Sequence, residues 1–343
     1  MKKAVLLLSG GLDSTLAGKF LLDLGVMVEA VNFTSPFCNC TAKGASCSAA
    51  RRAAEQLGVL VKVFACGQEY LQVMKHPRFG RGRGMNACID CRIYMFSRAR
   101  EYMEKRGFDF VATGEVLGER PMSQSKGAMA LIERESGLVG RIVRPLSAQH
   151  FPPSIPEQQG LIERSRLEGI QGRCRKPQLE LAQEMGLADL PCPAGGCKLA
   201  QKEFAIKFSE LLANEPGFGL HDAMLLRYGR HFRLPSGAKA VVGRQEEENR
   251  ILEGAAGKND AVLVPKKVPG PSVLVRRYTS ADDLCLAASI LAAYTKNAST
   301  LEVIVRNGGV IGVDGWVETV VPMDRDVLET LKIGGYPSRK ASL

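Results

Sequence analysis

A glycine turn beside a carboxylate and two hydroxyls follows the apolar run AVLLL at the start of the sequence. Gly10 and Gly11 let the backbone approach phosphate oxygens without an intervening Cβ atom. Ser9, Ser14 and the N–H groups of the following helix offer hydrogen bonds to the same oxygens. Asp13 stands where a carboxylate can hold Mg²⁺ between phosphates. The run therefore predicts a turn that binds pyrophosphate and magnesium.

Spacing excludes the Walker phosphate loop, which has four residues between its first glycine and Gly-Lys-Ser/Thr. Here six residues separate Gly11 from Gly18, and Phe20 follows Lys19. The sequence SGGLDS instead resembles the PP-loop of ATP pyrophosphatases. These enzymes cleave ATP between the α- and β-phosphates and activate a carbonyl oxygen as its adenylate. The alternative interpretation is a plain Gly-Gly turn after a strand.

Composition indicates an ordinary globular protein with a basic surface. The 343 residues leave room for two domains, and 45% are apolar while 24% are charged. Lysine and arginine number 46 against 36 acidic residues, a net charge of +10 that favours a polyanionic partner such as nucleic acid over a merely basic surface. No apolar run is long enough for a secretory leader or a membrane span, so we expect a cytoplasmic protein with no membrane partner.

Strand-like and helical patterns alternate along the first half of the chain. Strands are predicted at residues 4–8, 28–33, 60–65 and 108–113, and helices at 15–24, 46–57 and 89–106. Such alternation is typical of βαβ units and predicts an α/β domain with a doubly wound, mostly parallel sheet. Thr113 and Gly114 end the last strand at the carboxyl edge of that sheet, where ligands bind.

Two cysteines separated by two residues, Cys88 and Cys91, stand at the start of a predicted helix. Such a pair can share one metal, and Cys197 adds a distant third thiol, with Cys192 as the alternative third ligand. Three thiolates leave one iron of a [4Fe–4S] cluster open to bind sulfide. The alternatives are a zinc site with a fourth ligand, a persulfide-carrying cysteine with a resolving partner, and a buried inert pair.

The remaining cysteines are harder to interpret, since in a cytoplasmic protein we expect ligands, nucleophiles or buried thiols rather than disulfides. Cys38, Cys40 and Cys47 have a spacing that fits zinc binding or relay of sulfur, but three ligands are an incomplete set. A structural role is predicted for Cys66, Cys174 and Cys285.

The segments CIDCRIYMF, TGEVLGERPMSQS and RPLS follow one another after the glycine turn. In this order they resemble the PP-loop domain of tRNA 4-thiouridine synthetases, and more loosely of tRNA 2-thiouridylases, over residues 1–200. The resemblance implies adenylation of a uridine carbonyl in tRNA and then attack by sulfur from sulfide or a persulfide carrier protein. It also implies a nucleotide site that includes Phe33, Thr113, Gly114, Ser123 and Gln124, and a cluster held by Cys88, Cys91 and one later cysteine.

A second resemblance lies in the C-terminal part, where RYGRHFRLPSGAKAVVGRQ has the pattern of a hairpin turning at residues 235–237. With Gly243-Arg244, Asn249 and a later Pro-Gly-Pro it resembles the RNA-binding domain of NFACT proteins, although Gln245 stands where that family often has Asp. RNA contacts are predicted for Arg230, Arg233, Arg244 and Asn249. The alternative is a solvated basic face.

Together these observations predict two domains: a PP-loop ATP-binding thiolation domain at residues 1–205 and a smaller α+β RNA-binding domain at 206–343. The predicted enzyme is an ATP-dependent tRNA thiouridine synthase that uses ATP, Mg²⁺ and a [4Fe–4S] cluster, with Asp13, Cys88, Cys91 and Cys197 in catalytic roles. Two alternatives stay open: a PP-loop amidoligase or NAD-synthetase-like enzyme, and an RNA-binding protein with a degenerate loop. The sequence predicts no oligomeric state.

Overall fold

The computed structural model describes residues 2–39, 48–187, 196–308 and 315–334. The chain divides into two compact units, Met1–Gln201 and Lys202–Leu343, called here the N-terminal and C-terminal units. Each unit has its own sheet and its own hydrophobic core. Within the described ranges, no helix is both long and apolar enough to cross a membrane.

A parallel sheet forms the centre of the N-terminal unit. Its strands are β1 (Lys3–Leu7), β2 (Met27–Thr34), β3 (Val61–Ala65), β4 (Phe110–Thr113) and β5 (Ile142–Val143). They lie in the order β3-β2-β1-β4-β5, and every neighbouring pair is parallel. The central position of β1 explains why Ala4, Val5 and Leu6 are fully buried.

Helices cover both faces of this sheet. They are α1 (Leu12–Asp23), α2 (Ser48–Leu57), α3 (Gln68–Lys75), α4 (Cys88–Arg106), α5 (Lys126–Ser136), α6 (Ile155–Gln158) and α7 (Lys176–Glu184). Ala17 of α1 and Leu57 of α2 share an apolar cluster with Leu6, whereas Phe96 of α4 shares another with Val5. Because successive strand residues point to opposite faces, β1 is buried on both sides. The predicted doubly wound α/β fold is confirmed.

The strand order reverses at β1, which lies between β2 and β4. In open parallel sheets, ligands bind outside the carboxyl ends of the strands at such a reversal. Leu7 of β1 pairs with Thr113 of β4, so the chains that leave these two strands start side by side. The loops after β1 and β4 therefore form the candidate ligand cleft.

The C-terminal unit contains an antiparallel sheet in the order β11-β10-β8-β9-β7-β6. Its strands are β6 (Arg230–Arg233), β7 (Lys239–Val242), β8 (Asp260–Pro265), β9 (Val273–Arg276), β10 (Leu301–Asn307) and β11 (Trp316–Val320). Its helices are α8 (Lys202–Asn214), α9 (Leu220–Leu225), α10 (Glu246–Gly254), α11 (Ala281–Ala293) and α12 (Arg325–Leu331). The predicted second α+β unit is therefore present.

Two apolar clusters lie on the faces of the antiparallel sheet. Leu291 of the apolar helix α11 shares one with Phe232, and Leu252 of α10 shares the other with Val241. The predicted hairpin is β6–β7, and its turn contains Gly237 at a φ of +92°. A positive φ favours glycine, which is why the turn forms at this point of the sequence.

Candidate nucleotide and thiol site

The glycine turn lies at the carboxyl end of β1 and leads directly into α1. Gly10 has a φ of +80°, and a Cβ atom on it would lie 2.3 Å from the carbonyl carbon of Ala49 in α2. Both the backbone conformation and the close contact with α2 therefore require glycine. The turn is fixed against the start of α2 and is not a free surface loop.

Hydroxyl groups brace the turn from within. Ser14 Oγ donates to the Gly11 carbonyl at 3.0 Å, and the backbone N–H of Ser9 donates to Ser14 Oγ at 3.3 Å. Thr15 Oγ1 donates to the same carbonyl at 3.0 Å. Gly11 occupies the N-cap position of α1 and has no side chain to accept hydrogen bonds from the first turn of the helix. The N–H groups of that turn are therefore available to an anion.

Asp13 lies in the first turn of α1 and has an unusual environment. Burial, followed by the charge of Glu119, raises the pKa of its carboxyl to about 6. Arg175, Arg120 and the amide of Gln178 act in the opposite direction. Asp13 Oδ1 is buried, and no described residue gives it a hydrogen bond. A buried carboxylate oxygen without a donor fits a magnesium ligand, so these residues suit the predicted cation.

The loop after β4 closes on this turn. Thr113 is buried beside Leu7, and a Cβ atom on Gly114 would lie 2.3 Å from both the carbonyl carbon and the oxygen of Asp13. Gly114 thus allows the end of β4 to touch the first turn of α1. The structure brings Thr113 and Gly114 together with Asp13, as the predicted nucleotide site requires.

Ser123 and Gln124 are both buried in the same loop. Gln124 Oε1 accepts a hydrogen bond from the backbone N–H of Arg120 at 2.9 Å, and the Gln124 carbonyl accepts one from Gly118 at 2.7 Å. Gln124 therefore shapes the loop that carries Arg120. Phe33 lies on β2, where its ring stacks on Phe64 with centroids 5.4 Å apart.

Cys88 and Cys91 lie three residues apart in the first turn of α4 and so on the same side of it. Asn86 Nδ2 donates to Cys88 Sγ at 3.1 Å, and the Tyr70 hydroxyl lies 3.2 Å from Cys91 Sγ. Burial raises the pKa of Cys91 to about 11, although the Tyr70 hydroxyl lowers it. The same burial raises the pKa of Cys197 to about 12, and the charge of Cys91 adds to the effect.

Cys197 pairs with Cys38 in a short antiparallel bridge. The bridge is flanked by hydrogen bonds from Asn39 N to Gly196 O at 3.2 Å and from Lys198 N to Phe37 O at 2.8 Å. This pattern makes Cys38 and Cys197 a non-hydrogen-bonded pair, the closer of the two antiparallel arrangements. The structure therefore brings Cys38 beside the predicted ligand Cys197, an arrangement that suits the relay of sulfur considered for it from the sequence.

Cys66 is a second thiol whose position the sequence did not indicate. Burial, with smaller contributions from Cys91 and Cys38, raises its pKa to about 12, which places it in the same neighbourhood. The alternative third ligand Cys192, together with Cys40 and Cys47, lies outside the described residues.

The donor set is of the right kind for a thiol-ligated metal centre, since soft thiolates suit iron–sulfur clusters and zinc. Cys88 and Cys91 both contribute to the raised pKa of Cys197, so the three predicted ligands lie in one region. Among the described residues, however, no group of three or more His, Cys, Asp or Glu side chains is spaced to hold a metal ion. The predicted ligands are therefore neighbours without the spacing of a formed metal site, and metal binding to thiols would release their protons.

Arg120 belongs to the loop after β4, which meets the glycine turn at Gly114 and the Asn86 amide beside Cys88 at Met122. Burial lowers the pKa of its guanidinium, and the charges of Asp13 and Cys88 act on it. Its side chain is nonetheless exposed to solvent, and a guanidinium stays charged at any ordinary pH. One cation is thus close to both predicted reaction partners. The sequence predicts no function for Arg120 itself and indicates only that it belongs to the TGEVLGERPMSQS segment.

Three of the four predicted RNA contacts have partners inside the C-terminal unit. Arg233 donates to Glu210 Oε1 at 2.7 Å, and Arg244 Nε donates to Glu248 Oε2 at 3.0 Å. Asn249 Oδ1 accepts from the backbone N–H of Ser272 at 3.1 Å, close to the Pro-Gly-Pro segment.

Arg230 differs from the other three. Its guanidinium carbon lies 4.7 Å from the centre of the Tyr294 ring, and no carboxylate among the described residues forms a salt bridge with it. A cation stacked on an aromatic ring is a common nucleic-acid contact. Arg230 is therefore the predicted RNA residue whose charge is most available.

Comparisons with known proteins match each unit separately. Residues 1–150 match the family model for thiamine biosynthesis protein (ThiI), and residues 229–329 match that for the NFACT protein RNA binding domain. The tRNA-specific 2-thiouridylase MnmA of Syntrophotalea carbinolica is 33% identical over 121 residues, which are 33% of this chain and 34% of that protein. A probable tRNA sulfurtransferase of Methanosarcina mazei is 32% identical over 123 residues, 34% of this chain and 29% of that protein.

The chain spans about a third of the length of these curated relatives. Among solved structures, a 4-thiouridine synthetase–RNA complex with bound ATP aligns with a TM-score of 0.38 and 24% identity, over 65% of this chain and 53% of that one. The family models confirm both resemblances seen in the sequence. The chain therefore joins a segment that matches the ThiI family model, residues 1–150, to a segment that matches the model of the NFACT RNA-binding domain, residues 229–329.

Proposed function

We propose that this protein is an ATP-dependent tRNA sulfurtransferase of the cytoplasm. It adenylates a uridine carbonyl and replaces the oxygen with sulfur. The observation that carries the proposal is that the loop after β4 meets both centres: Gly114 lies against Asp13, and Met122 lies 3.4 Å from the Asn86 amide that donates to Cys88. A nucleotide site and a thiol centre joined by one loop can act in turn on the same substrate atom. An amidoligase that uses ammonia would have no need of the thiols.

In the first step the uridine oxygen attacks the α-phosphorus of ATP, the bond to the β-phosphate breaks, and pyrophosphate leaves. Gly10, Gly11 and the first turn of α1 offer N–H groups to the phosphates, while Ser14 holds the turn in shape. Asp13 would hold Mg²⁺, which neutralises charge on the phosphates. Because these groups are fixed before ATP binds, little reorganisation is needed during the reaction.

In the second step a sulfur nucleophile attacks the activated carbon and AMP leaves. When bound, a [4Fe–4S] cluster held by Cys88, Cys91 and Cys197 would supply an iron with an open position for sulfide. Tyr70 and Asn86 orient two of these thiols by their hydrogen bonds. The alternative sulfur source is a persulfide carrier protein, from which one of these cysteines would accept sulfur as a persulfide. As the outer sulfur attacks the carbon, a second cysteine would break the S–S bond by forming a disulfide with the first, and an external thiol would reduce that disulfide.

The C-terminal unit would bind tRNA, because within it Arg230 presents a cation on the Tyr294 ring. Phosphate contacts of this kind set affinity and make it depend on salt. We propose the same division of labour that the sequence predicted, with catalysis at residues 1–205 and RNA binding at 206–343.

The test of the thiol centre compares single cysteine variants after purification without oxygen. Cys88→Ala, Cys91→Ala and Cys197→Ala should each lose iron and thiolation, because two thiolates hold a cluster poorly. Cys285→Ala is the matched control on α11 of the C-terminal unit and should keep both. The unaltered protein should contain about four irons per chain. An iron-free protein that still thiolates tRNA, with a persulfide on one cysteine, would establish the alternative route.

A further inference from the structure

We propose that Arg120, Arg175 and Gln178 form the subsite for the β- and γ-phosphates of ATP and hold pyrophosphate as it leaves. Gln178 lies in α7, and Arg175 immediately precedes this helix. Both residues lie beyond residues 1–150, which match the ThiI family model. The inference rests on the proposed function and adds residues that neither family match covers. Its ligand class is an inorganic or nucleotide-bound pyrophosphate.

Gln178 gives the first reason. Its side chain is completely buried, and neither its amide nitrogen nor its amide oxygen has a hydrogen-bond partner within 3.5 Å among the described residues. A buried amide left in this state costs free energy, so it is rarely retained without a ligand or water to satisfy it. The one polar interaction that Gln178 makes with the turn is a weak hydrogen bond to the Asp13 carboxyl, which lowers the pKa of that group. The unsatisfied amide is therefore at the nucleotide turn.

The packing of α7 fixes this amide in place. Ala182 of α7 shares an apolar cluster with Leu12, Leu16 and Phe20 of α1. Gln178 lies one helical turn before Ala182 and so on the same face of α7. α7 therefore packs on α1, the helix that follows the glycine turn, with the buried amide of Gln178 on its packed face.

The charges around the turn give the second reason. Asp13 and Glu119 are acidic, Arg120 and Arg175 are basic, and Arg175 donates to Glu119 at 3.0 Å. The four formal charges cancel while the site holds no ligand. Mg²⁺ bound by the carboxylates would leave the two guanidiniums to balance a polyphosphate anion, and guanidinium forks match phosphate oxygens well. The amide of Gln178 can donate to the same oxygens or accept from a water on the cation.

This subsite also fits the chemistry of the leaving group. When the bond between the α-phosphorus and the bridging oxygen breaks, its electron pair stays on that oxygen, and negative charge grows on pyrophosphate. Cations already in place stabilise that charge. Arg120 and Arg175 would therefore bind pyrophosphate in the ground state and assist its departure in the reaction.

The test measures binding of magnesium pyrophosphate by titration calorimetry to the full chain, without tRNA or a sulfur source. Gln178→Met keeps the volume and removes the unsatisfied amide, so the variant should fold at least as stably and bind pyrophosphate about ten- to a hundredfold more weakly. Gln183→Met, on the exposed side of α7, is the matched control and should bind as the unaltered protein does. Arg120→Gln should weaken binding similarly, and Arg120→Lys should restore part of it.

Unchanged pyrophosphate affinity in Gln178→Met would overturn the subsite, as would an equal loss in Gln183→Met. A fall in stability of Gln178→Met with no change in affinity would assign the amide to the fold alone and would also refute the proposal. Because the measurement involves neither tRNA nor sulfur, a protein that binds pyrophosphate through these residues but does not thiolate tRNA would refute the proposed function and leave the subsite standing.

Discussion

Replacing Gly114 with alanine should disable the nucleotide site through a steric effect of one methyl group. The added Cβ would lie 2.3 Å from the carbonyl carbon and oxygen of Asp13 and 2.5 Å from the N of Ser14. All three are backbone atoms, so no side-chain rotation relieves the contact. The φ of Gly114 is not among the positive values in the chain, so the conformation itself is open to alanine.

The magnitude follows from the distance that must be gained. Raising 2.3 Å to the ordinary contact distance of 3.4 Å requires about 1.1 Å of movement between β4 and the first turn of α1. A shift of that size in a reacting group costs about a hundredfold in rate. Overpacking of a well-packed site costs about 1–3 kcal/mol of folding free energy. Gly114→Ala should therefore remain folded while losing most of its activity.

The assay measures AMP formed from ATP in the presence of tRNA, together with the free energy of unfolding in urea. Gly127→Ala is the matched control, because no atom lies within 4 Å of a Cβ added there on α5. That variant should keep its rate and change stability by no more than about 1 kcal/mol. If Gly114→Ala binds ATP and forms AMP as fast as the unaltered protein, the close contact between β4 and the glycine turn does not exist.

Two further predictions concern the C-terminal unit. Burial holds the pKa of His231 well below 6.5, so the unfolded chain binds a proton that the folded chain excludes. The contribution of His231 to the free energy of unfolding should consequently be fully present above pH 6.5. Below that pH the free energy of unfolding should fall by up to about 1.4 kcal/mol per pH unit. Urea unfolding of His231→Gln should show a smaller slope. Arg233→Gln removes one of the two cations that pair with each of Glu210 and Glu215, and Lys239 and Arg277 remain. The variant should cost about 1–3 kcal/mol, whereas the exposed control Arg250→Gln should cost less than about 1 kcal/mol. Equal losses in the two arginine variants, again measured in urea, would contradict the buried network.

The sequence was sufficient to predict the sheet and the position of the glycine turn. Buried strands such as β1 have continuous apolar runs, which makes them recognisable in the sequence. The turn after β1 is recognisable as well, because its backbone has a positive φ at Gly10 and so requires glycine there. The hairpin of the C-terminal unit was equally evident, since Gly237 marks its turn. These features depend on neighbours in the sequence, which is why their pattern is visible in it.

The surroundings of the site depend on contacts between distant residues and were not predicted. A structural role is predicted for Cys66, and the fold brings this thiol to the side of Cys91 because β3 and α4 meet, as the contact between the rings of Phe64 and Tyr102 shows. Gln178 stands in a polar stretch with no distinguishing pattern, and only packing of α7 on α1 brings it to Asp13. The basic hairpin predicts an RNA contact for Arg233. Its carboxylate partners, Glu210 and Glu215, lie outside the hairpin, and so the pattern of the hairpin alone does not indicate that this arginine is paired.

The most direct test of the proposed function is to incubate the anaerobically purified protein with ATP, Mg²⁺, sulfide and unmodified tRNA, then measure AMP and analyse the tRNA nucleosides by mass spectrometry. A thiolated uridine should appear in proportion to AMP, and both should vanish in Asp13→Asn, which keeps the shape of the carboxyl group but not its charge. Formation of ADP in place of AMP, or AMP formation without any thiolated nucleoside, would contradict the account.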